Sequence, residues 1–368
     1  MRIMLCGGGT GGHVNPAIAI ANQIKKKRPE AEIAFVGTSY GIESGLVPKA
    51  GYPISFVKVR GFKRSLSFSN IDAAIKAATS VWAAKKIIKK FSPDLVVGTG
   101  GYVSWPTVKA AAKMGIPCVI HEQNAYPGVT TRMLSKYAKK VCISFEESRR
   151  YFDDAAQNKL TLTGNPIIAD SNDYYRVRRE LGIPDDKPYI LSYGGSMGAE
   201  QINRYIFDMM ELYSIPSGIR HTHAVGRVGW EYFSALAKDK GLDKRENLEI
   251  VEFLYDMPKR QAAADIIIAR AGAMTLAELA YKGKPAVFIP SPNVAEDHQY
   301  KNAKVLADAG AAIVFKESEL NGELLAETVK KLTEHPEQLK TMQNAVRRFA
   351  RPNAAEEIAD IALNMIPE

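Results

Sequence analysis

Cysteine is scarce in this chain: Cys6, Cys118 and Cys142 are the only three, and they form no CxxC pair. That scarcity argues against a disulfide framework or structural zinc and for a reducing compartment. Long hydrophobic runs are missing as well, none approaching the ~18 residues that a membrane span needs. No N-terminal stretch reads as a signal peptide, because a strand and a glycine loop begin almost at Met1, so the expected address is the cytoplasm. There is no DxD motif to hold a divalent ion against a diphosphate. His221 and His223 share one strand face but have no acidic or sulfur companion nearby, so no metal is expected. Low-complexity segments are absent.

What is present is ordinary for a soluble globular protein: 368 residues, 46% hydrophobic and 24% charged, enough for two domains. The charge is divided unevenly. Residues 1–164 carry 24 Lys and Arg against 10 Asp and Glu, a net of +14, while residues 165–368 carry 25 against 30, a net of −5. A basic half suits a polyanion such as anionic lipid or nucleic acid, or is simply a solvated lysine-rich surface.

Short apolar runs alternate with helical-period segments. Strands are expected at 3–6, 33–37, 54–59, 94–98, 117–121 and 141–144, and helices at 15–24, 71–91, 106–114 and 129–138. After "GNPII" (164–168) and a polar crossing, the pattern restarts with strands at 189–195, 221–226, 248–253, 265–270 and 285–290. Continuous apolar strands between helices imply parallel sheets covered on both faces, so the fold class is α/β with two doubly wound, Rossmann-like halves. Pro352 breaks the closing helical region, giving expected domains of 1–164 and 165–350 and a final helix within 351–368.

Three strand-to-helix junctions are glycine-rich: "GGGTGGH" (7–13), "GTGGYVSWP" (98–106) and "GGSMGAEQIN" (194–203). Glycine lets the backbone turn sharply and approach a ligand, while the first amides of the next helix point at an anion. Gly7, Gly9 and Gly12 satisfy GxGxxG, but Gly37-Thr38 stands where a nicotinamide site wants an acid. The three loops together read as diphosphate cradles. His13 lies in the first turn of a helix, where the dipole favours neutral imidazole; it either takes a proton or ends a turn. His121, Glu122, Gln123 and Asn124 follow another strand and either grip sugar hydroxyls or brace the loop. Thr275 and Glu278 leave two readings open, a helix capping box or a carboxylate that holds a ribose. Asp297, His298 and Gln299 fall at a further sheet edge.

In order and approximate spacing, "GGGTGGHVNPA", "GGYVSWP", "HEQNAYPG", "GNP", "GGSMGA", "RAGAMTLAEL" and "DHQYKNA" resemble the motifs of the bacterial lipid I N-acetylglucosaminyltransferases of peptidoglycan synthesis, from residue 3 to about 350. The resemblance implies a glycosyltransferase fold of the B type, two domains facing across a cleft with the last helix crossing back to the first. It implies inverting transfer of N-acetylglucosamine from UDP-N-acetylglucosamine to the muramoyl 4-hydroxyl of undecaprenyl-diphospho-N-acetylmuramoyl-pentapeptide, with no cofactor and no obligatory metal. His13 is then the base or an acceptor-orienting group, and Asn124 lies beside the donor sugar or acceptor hydroxyl. Thr10, Gly11 and Gly12 meet donor and acceptor, and Gly101 and Tyr102 join them on the acceptor diphosphate. On the donor, Ser196 meets the phosphates and Phe253 and Leu254 the uracil. Ala273, Met274 and Thr275 cradle the diphosphate, Glu278 holds the ribose, His298 and Gln299 read the hexose, and Arg270 assists near the nucleotide.

The implied partners are the polyprenyl-diphosphate-linked acceptor, an anionic membrane surface on the cytoplasmic face, and cell-wall or division proteins; nucleic acid is not expected. Three positions depart from the family pattern: Ile167 and Ile168 where an Arg commonly follows "GNP", Met197 for a frequent Gln, and Trp105 for a frequent Gly. None of these touches His13, Asn124 or Glu278. Residues 58–90 hold nine Lys and Arg and a single acid, Asp72. Ile71, Ile75, Ala78 and Trp82 recur at helical spacing before Lys85, Lys86, Lys89 and Lys90. That helix face is expected to pack on the core, and the "RGFKRSLSF" loop (60–68) to meet lipid. Rival readings are a related transferase with a diacylglycerol acceptor, a UDP-N-acetylglucosamine 2-epimerase, and an idle UDP-sugar sensor.

Overall fold

Among the described residues of the computed structural model, every strand pair is parallel. The structure describes residues 1–59, 69–168, 170 and 172–366, with only the backbone over 69–78. One sheet comprises β1 (Arg2–Cys6), β2 (Glu32–Gly37), β3 (Ile54–Phe56), β4 (Leu95–Gly98), β5 (Cys118–Glu122), β6 (Lys140–Ile143) and β7 (Leu160–Leu162), in the order β3-β2-β1-β4-β5-β6-β7. The other comprises β8 (Tyr189–Tyr193), β9 (Arg220–Ala224), β10 (Leu248–Val251), β11 (Ile266–Ala269), β12 (Ala286–Phe288) and β13 (Ala312–Val314), in the order β10-β9-β8-β11-β12-β13. Each order reverses beside its first strand, between β1 and β4 and between β8 and β11. In doubly wound sheets the crevice at that reversal, beyond the strands' carboxyl ends, is where ligands bind.

Four helices matter most for the first sheet: α1 (Gly11–Lys27), α2 (Glu43–Lys49), α3 (Ser69–Phe91) and α4 (Ser104–Lys113). Successive β1 residues point to opposite faces. Ile3 and Leu5 pack with Val14, Ile20 and Ile24 of α1, while Met4 and Cys6 pack with Ile88 of α3 and Val108 of α4. Burial on both sides is why the strand reads as an unbroken apolar run. All three cysteines are buried and free, and burial pushes each thiol up to about 12.

The chain forms two compact units, Met1–Ile168 with Arg351–Glu368, and Ala169–Ala350. Within the first, the helix Ala354–Leu363 lies on α1. Ile358, Ala359 and Ala362 share the core of Ile20 and Ile24, and Lys27 bridges Glu356 (2.9 Å) and Asp360 (2.8 Å).

Several elements differ from expectation. α1 begins at Gly11, so the glycine junction is already helical, and α2, β7 and β13 carry no signal that sequence reading recognised. The expected core-facing role of Trp82 is overturned. Trp82 is 61% exposed, and α3 turns Ala84 and Ile88 inward instead. Lys86 lies 3.5 Å from the Trp82 ring, a cation–π contact that suits an aromatic face left in solvent. The 60–68 loop and the side chains of Ile71, Ile75 and Ala78 fall outside the described residues.

Candidate active site

The first two glycine-rich loops leave neighbouring strands, β1 and β4, at the reversal of the first sheet, and they touch. A β-carbon on Gly101, whose φ is +76°, would collide with the Gly8 carbonyl. One on Gly100 would lie 2.6 Å from Cδ2 of His13. The Thr99 hydroxyl donates to the His13 carbonyl (2.7 Å), fastening the second loop to the first turn of α1. Thr10 is the N-cap of α1 but makes no capping bond to a backbone amide; its hydroxyl meets His13 Nδ1 at 3.2 Å. The same Nδ1 stands 3.2 Å from the Gly8 carbonyl oxygen. A carbonyl only accepts, so this contact is a hydrogen bond in the tautomer that carries its proton on Nδ1, and in that tautomer Nε2 is the basic nitrogen. Thr10, Gly11, Gly12, His13, Gly101 and Tyr102 thus belong to one surface, with Tyr102 exposed.

At the end of β5 the four polar residues divide by role. His121 is fully buried between the Gly164 carbonyl (3.0 Å) and Ser144 Oγ (3.1 Å), with Gln123 Nε2 donating to its Nδ1 (3.0 Å). Burial lowers its pKa to about 4, so it is a neutral brace. Glu122 receives the backbone and side-chain amides of Asn124 (both 3.0 Å) and the Gly128 amide (3.0 Å), fixing the orientation of Asn124.

In the second unit the third glycine loop leaves β8 and "RAGAMT" leaves β11, again flanking the sheet reversal. Ser196 is exposed in the loop, which the Arg227 and Val228 amides stitch to the β9 exit through the carbonyls of Ser196 and Met197 (3.4 and 3.1 Å). Phe253 stacks edge-on with Tyr255 at 5.1 Å beside Arg227, and Leu254 is buried. Ala273, Met274 and Thr275 form the first turn of the helix Ala273–Lys282, whose N-cap, Gly272, has no side chain to cap it. This placement rejects the capping-box reading, because Thr275 and Glu278 both lie inside the helix. Gln261 Nε2 approaches Glu278 at 3.4 Å, and burial raises the carboxyl pKa above its ordinary range.

Arg270 donates to the carbonyls of Ile289 and Pro290 (both 3.0 Å) and pairs with Glu317 (2.5 Å), so it braces the end of β12. Beyond β12, Glu296 and Asp297 take left-handed φ values of +56° and +52°, a strained turn of the kind found at functional sites. His298 and Gln299 follow it, held by the Ala295 carbonyl (2.9 Å) and the Ser291 amide (2.9 Å). Among the described residues no cluster of His, Cys, Asp and Glu could hold a metal ion.

One residue of the site escaped the sequence analysis. Glu43, at the start of α2, is fully buried behind the first glycine loop and accepts the amide of Gly9. Its only sequence signal is an acid flanked by Gly41 and Gly45, which carries no established meaning.

The profile of the glycosyltransferase family 28 N-terminal domain matches residues 3–143, and that of the family's C-terminal domain matches residues 189–358. A protein of Acetivibrio thermocellus named UDP-N-acetylglucosamine--N-acetylmuramyl-(pentapeptide) pyrophosphoryl-undecaprenol N-acetylglucosamine transferase is 40% identical, covering 98% of this chain and 97% of its own. The crystal structure of Acinetobacter baumannii MurG matches with a TM-score of 0.78 at 31% identity, over 99% of both chains. The UDP-GlcNAc 2-epimerase of Neisseria meningitidis, bound to UDP-GlcNAc, matches with a TM-score of 0.69 at 14% identity over 99% of this chain, a likeness of fold alone. The chain belongs to glycosyltransferase family 28, among the N-acetylmuramyl-(pentapeptide) pyrophosphoryl-undecaprenol N-acetylglucosamine transferases.

Proposed function

We propose that this enzyme transfers N-acetylglucosamine from UDP-N-acetylglucosamine to the muramoyl hydroxyl of a pyrophosphoryl-undecaprenol-linked acceptor, with inversion at the anomeric carbon. The acceptor oxygen attacks that carbon, the glycosidic bond forms, and UDP departs with the electron pair of the broken bond. The acceptor proton passes to His13 Nε2. The observation that carries this reading is the position of His13, in the first turn of α1 with Nδ1 facing the Gly8 carbonyl of the glycine-rich loop.

The first unit holds the acceptor diphosphate on Thr10, Gly11, Gly12, Gly101 and Tyr102. The second holds the donor. Ser196 and the helix start at Ala273, Met274 and Thr275 receive its diphosphate. Phe253 and Leu254 flank the uracil, Glu278 accepts the ribose hydroxyls, and His298 and Gln299 read the hexose. Departure of UDP is favoured by amides already aimed at its developing charge. Arg270 acts from behind by fixing the end of β12. Asn124 orients the acceptor hydroxyl.

No described helix is long and apolar enough to cross a membrane. Attachment is peripheral, through the basic, tryptophan-bearing side of α3 to anionic lipid on the cytoplasmic face, where the polyprenyl tail resides. Cell-wall and division proteins are the macromolecular partners this placement suits.

UDP release with UDP-N-acetylglucosamine and a short-chain lipid-linked acceptor tests the reading. Wild-type turnover should fall ~100-fold or more in His13→Ala, the size of a lost general base. Absence of wild-type turnover would overturn the function; undiminished turnover in the variant would overturn the role of His13.

A further inference from the structure

We propose that Glu43 is a positioning residue for the acceptor, its buried carboxylate setting the backbone of the first glycine loop so that the loop's amides are ordered before the diphosphate arrives. The inference rests on the reading above that this loop receives the acceptor diphosphate.

Three donors from two loops meet the carboxylate. Oε2 accepts the Gly9 amide at 3.0 Å, and Oε1 accepts the Thr38 amide at 2.9 Å and the Thr38 hydroxyl at 2.7 Å. Burial alone would raise its pKa, but the Thr38 hydroxyl and the amides of Gly9, of Glu43 itself and of Thr38 outweigh that effect and hold it below the ordinary range. Two loops are shaped around this one group. A β-carbon on Gly8 would lie 2.6 Å from Oε1, one on Gly37 would lie 2.6 Å from Cγ, and one on Gly41 would collide with both oxygens. Gly9 itself takes φ +88°, open to glycine and few other residues.

The physical consequence follows from what a carboxylate does. It only accepts, so the Gly9 amide must turn inward beneath the loop. A run of glycines left to itself has more backbone freedom to lose than any other sequence. Fixing Gly9 removes part of that loss before the ligand binds, which strengthens binding without touching the ligand. A negative charge beneath an anion-binding loop works in the opposite direction, by repulsion. The two effects predict opposite outcomes when the carboxylate is replaced by a neutral amide, which removes the charge and one acceptor together.

The test is Glu43→Gln in the full chain, with UDP-N-acetylglucosamine and the short-chain lipid-linked acceptor varied separately. The amide matches the carboxylate in shape, but its NH2 end faces a backbone N–H and cannot accept it. The KM for acceptor should rise about tenfold or more, the effect of one buried donor left unsatisfied, while the KM for UDP-N-acetylglucosamine stays unchanged. Thr38→Val removes the hydroxyl that donates to Oε1 and accepts the Gly41 amide but leaves the Gly9 bond, and its acceptor KM should stay near that of the wild type. An acceptor KM unchanged or lowered in Glu43→Gln overturns the proposal, as does a parallel change in both KM values or an equal rise in Thr38→Val. If Glu43→Gln is insoluble, Glu43→Asp takes its place. It keeps the charge but withdraws it by one methylene, and an unchanged acceptor KM there overturns the proposal equally. A wild-type enzyme inactive toward the acceptor would instead defeat the functional reading itself.

Discussion

His13 owes its position to the missing side chain at Gly100. The imidazole lies against that α-carbon, where even a methyl group would stand 2.6 Å from Cδ2, and Gly100 takes φ +103°. Gly100→Ala should therefore tilt the ring away from the Gly8 carbonyl and strain the loop by roughly 1–3 kcal/mol. The expected result is a fall in kcat of about tenfold or more with the KM for UDP-N-acetylglucosamine unchanged, read from initial rates of UDP release. Full turnover in that variant would show that the ring can move without consequence. The residue scale is also where sequence reading meets its limit. The pair Thr275 and Glu278 spells a capping box, and only the start of the helix at Ala273 separates that reading from a ribose ligand. Glu43 is further from legibility, because its partners Gly9 and Thr38 lie on two different loops, and the space it fills is recorded only as missing side chains at Gly8, Gly37 and Gly41.

β9 shows how an element can carry polar residues that look functional and serve the interior. His221 and His223 point to one face, and that face is buried. A chain of contacts links Ser214 Oγ to His221 Nδ1 (3.0 Å), His221 Nε2 to Ser192 Oγ (2.8 Å), Ser192 Oγ to His223 Nδ1 (2.8 Å), and His223 Nε2 to Asn203 Oδ1 (3.1 Å). Asn203 then donates to the carbonyl of Val225 (3.1 Å). Burial lowers the pKa of His223 to about 4 and that of His221 well below the ordinary range. An unfolded histidine titrates near 6.5. Between about pH 6.5 and 4 the unfolded chain binds protons that these folded histidines refuse, so stability declines as pH falls through that window. Above it the full stability is present. Thermal melting should drop steadily from about pH 6.5 to 5, and His223→Gln should flatten that slope. A melting temperature independent of pH there would contradict the account.

The strands most readily read from sequence are those buried on both faces, such as β1, β4 and β11, whose runs are unbroken. β7 and β13, which sequence reading misses, are sheet edges three residues long. α2, with Gly45 and Pro48 in seven residues, contradicts helical propensity and is held by its surroundings.

At the scale of the molecule, the charge division of +14 against −5 includes, among the described residues, an exposed basic cluster on α3. Lys85, Lys86, Lys89 and Lys90 are exposed on α3 beside Trp82, and on α4 Lys109 stands 4.5 Å from the Trp105 ring, which Tyr137 meets edge-on. Each basic residue near an anionic bilayer contributes about 1 kcal/mol. Reversing three of them, Lys85→Glu with Lys86→Glu and Lys89→Glu, should weaken binding to phosphatidylglycerol vesicles on the order of a hundredfold or more, with soluble-acceptor kinetics unchanged. Cosedimentation checks this, and undiminished binding would place the lipid contact elsewhere. The first unit, meanwhile, is assembled from both ends of the chain, with Ile358, Ala359 and Ala362 completing the core around α1. On the ribosome, where a chain emerges at about 5–20 residues per second, every residue of Ala169–Ala350 therefore emerges before the helix that closes the first unit. The domain synthesised first is the last to be finished, and until then α1 lacks the contacts of Ile358, Ala359 and Ala362.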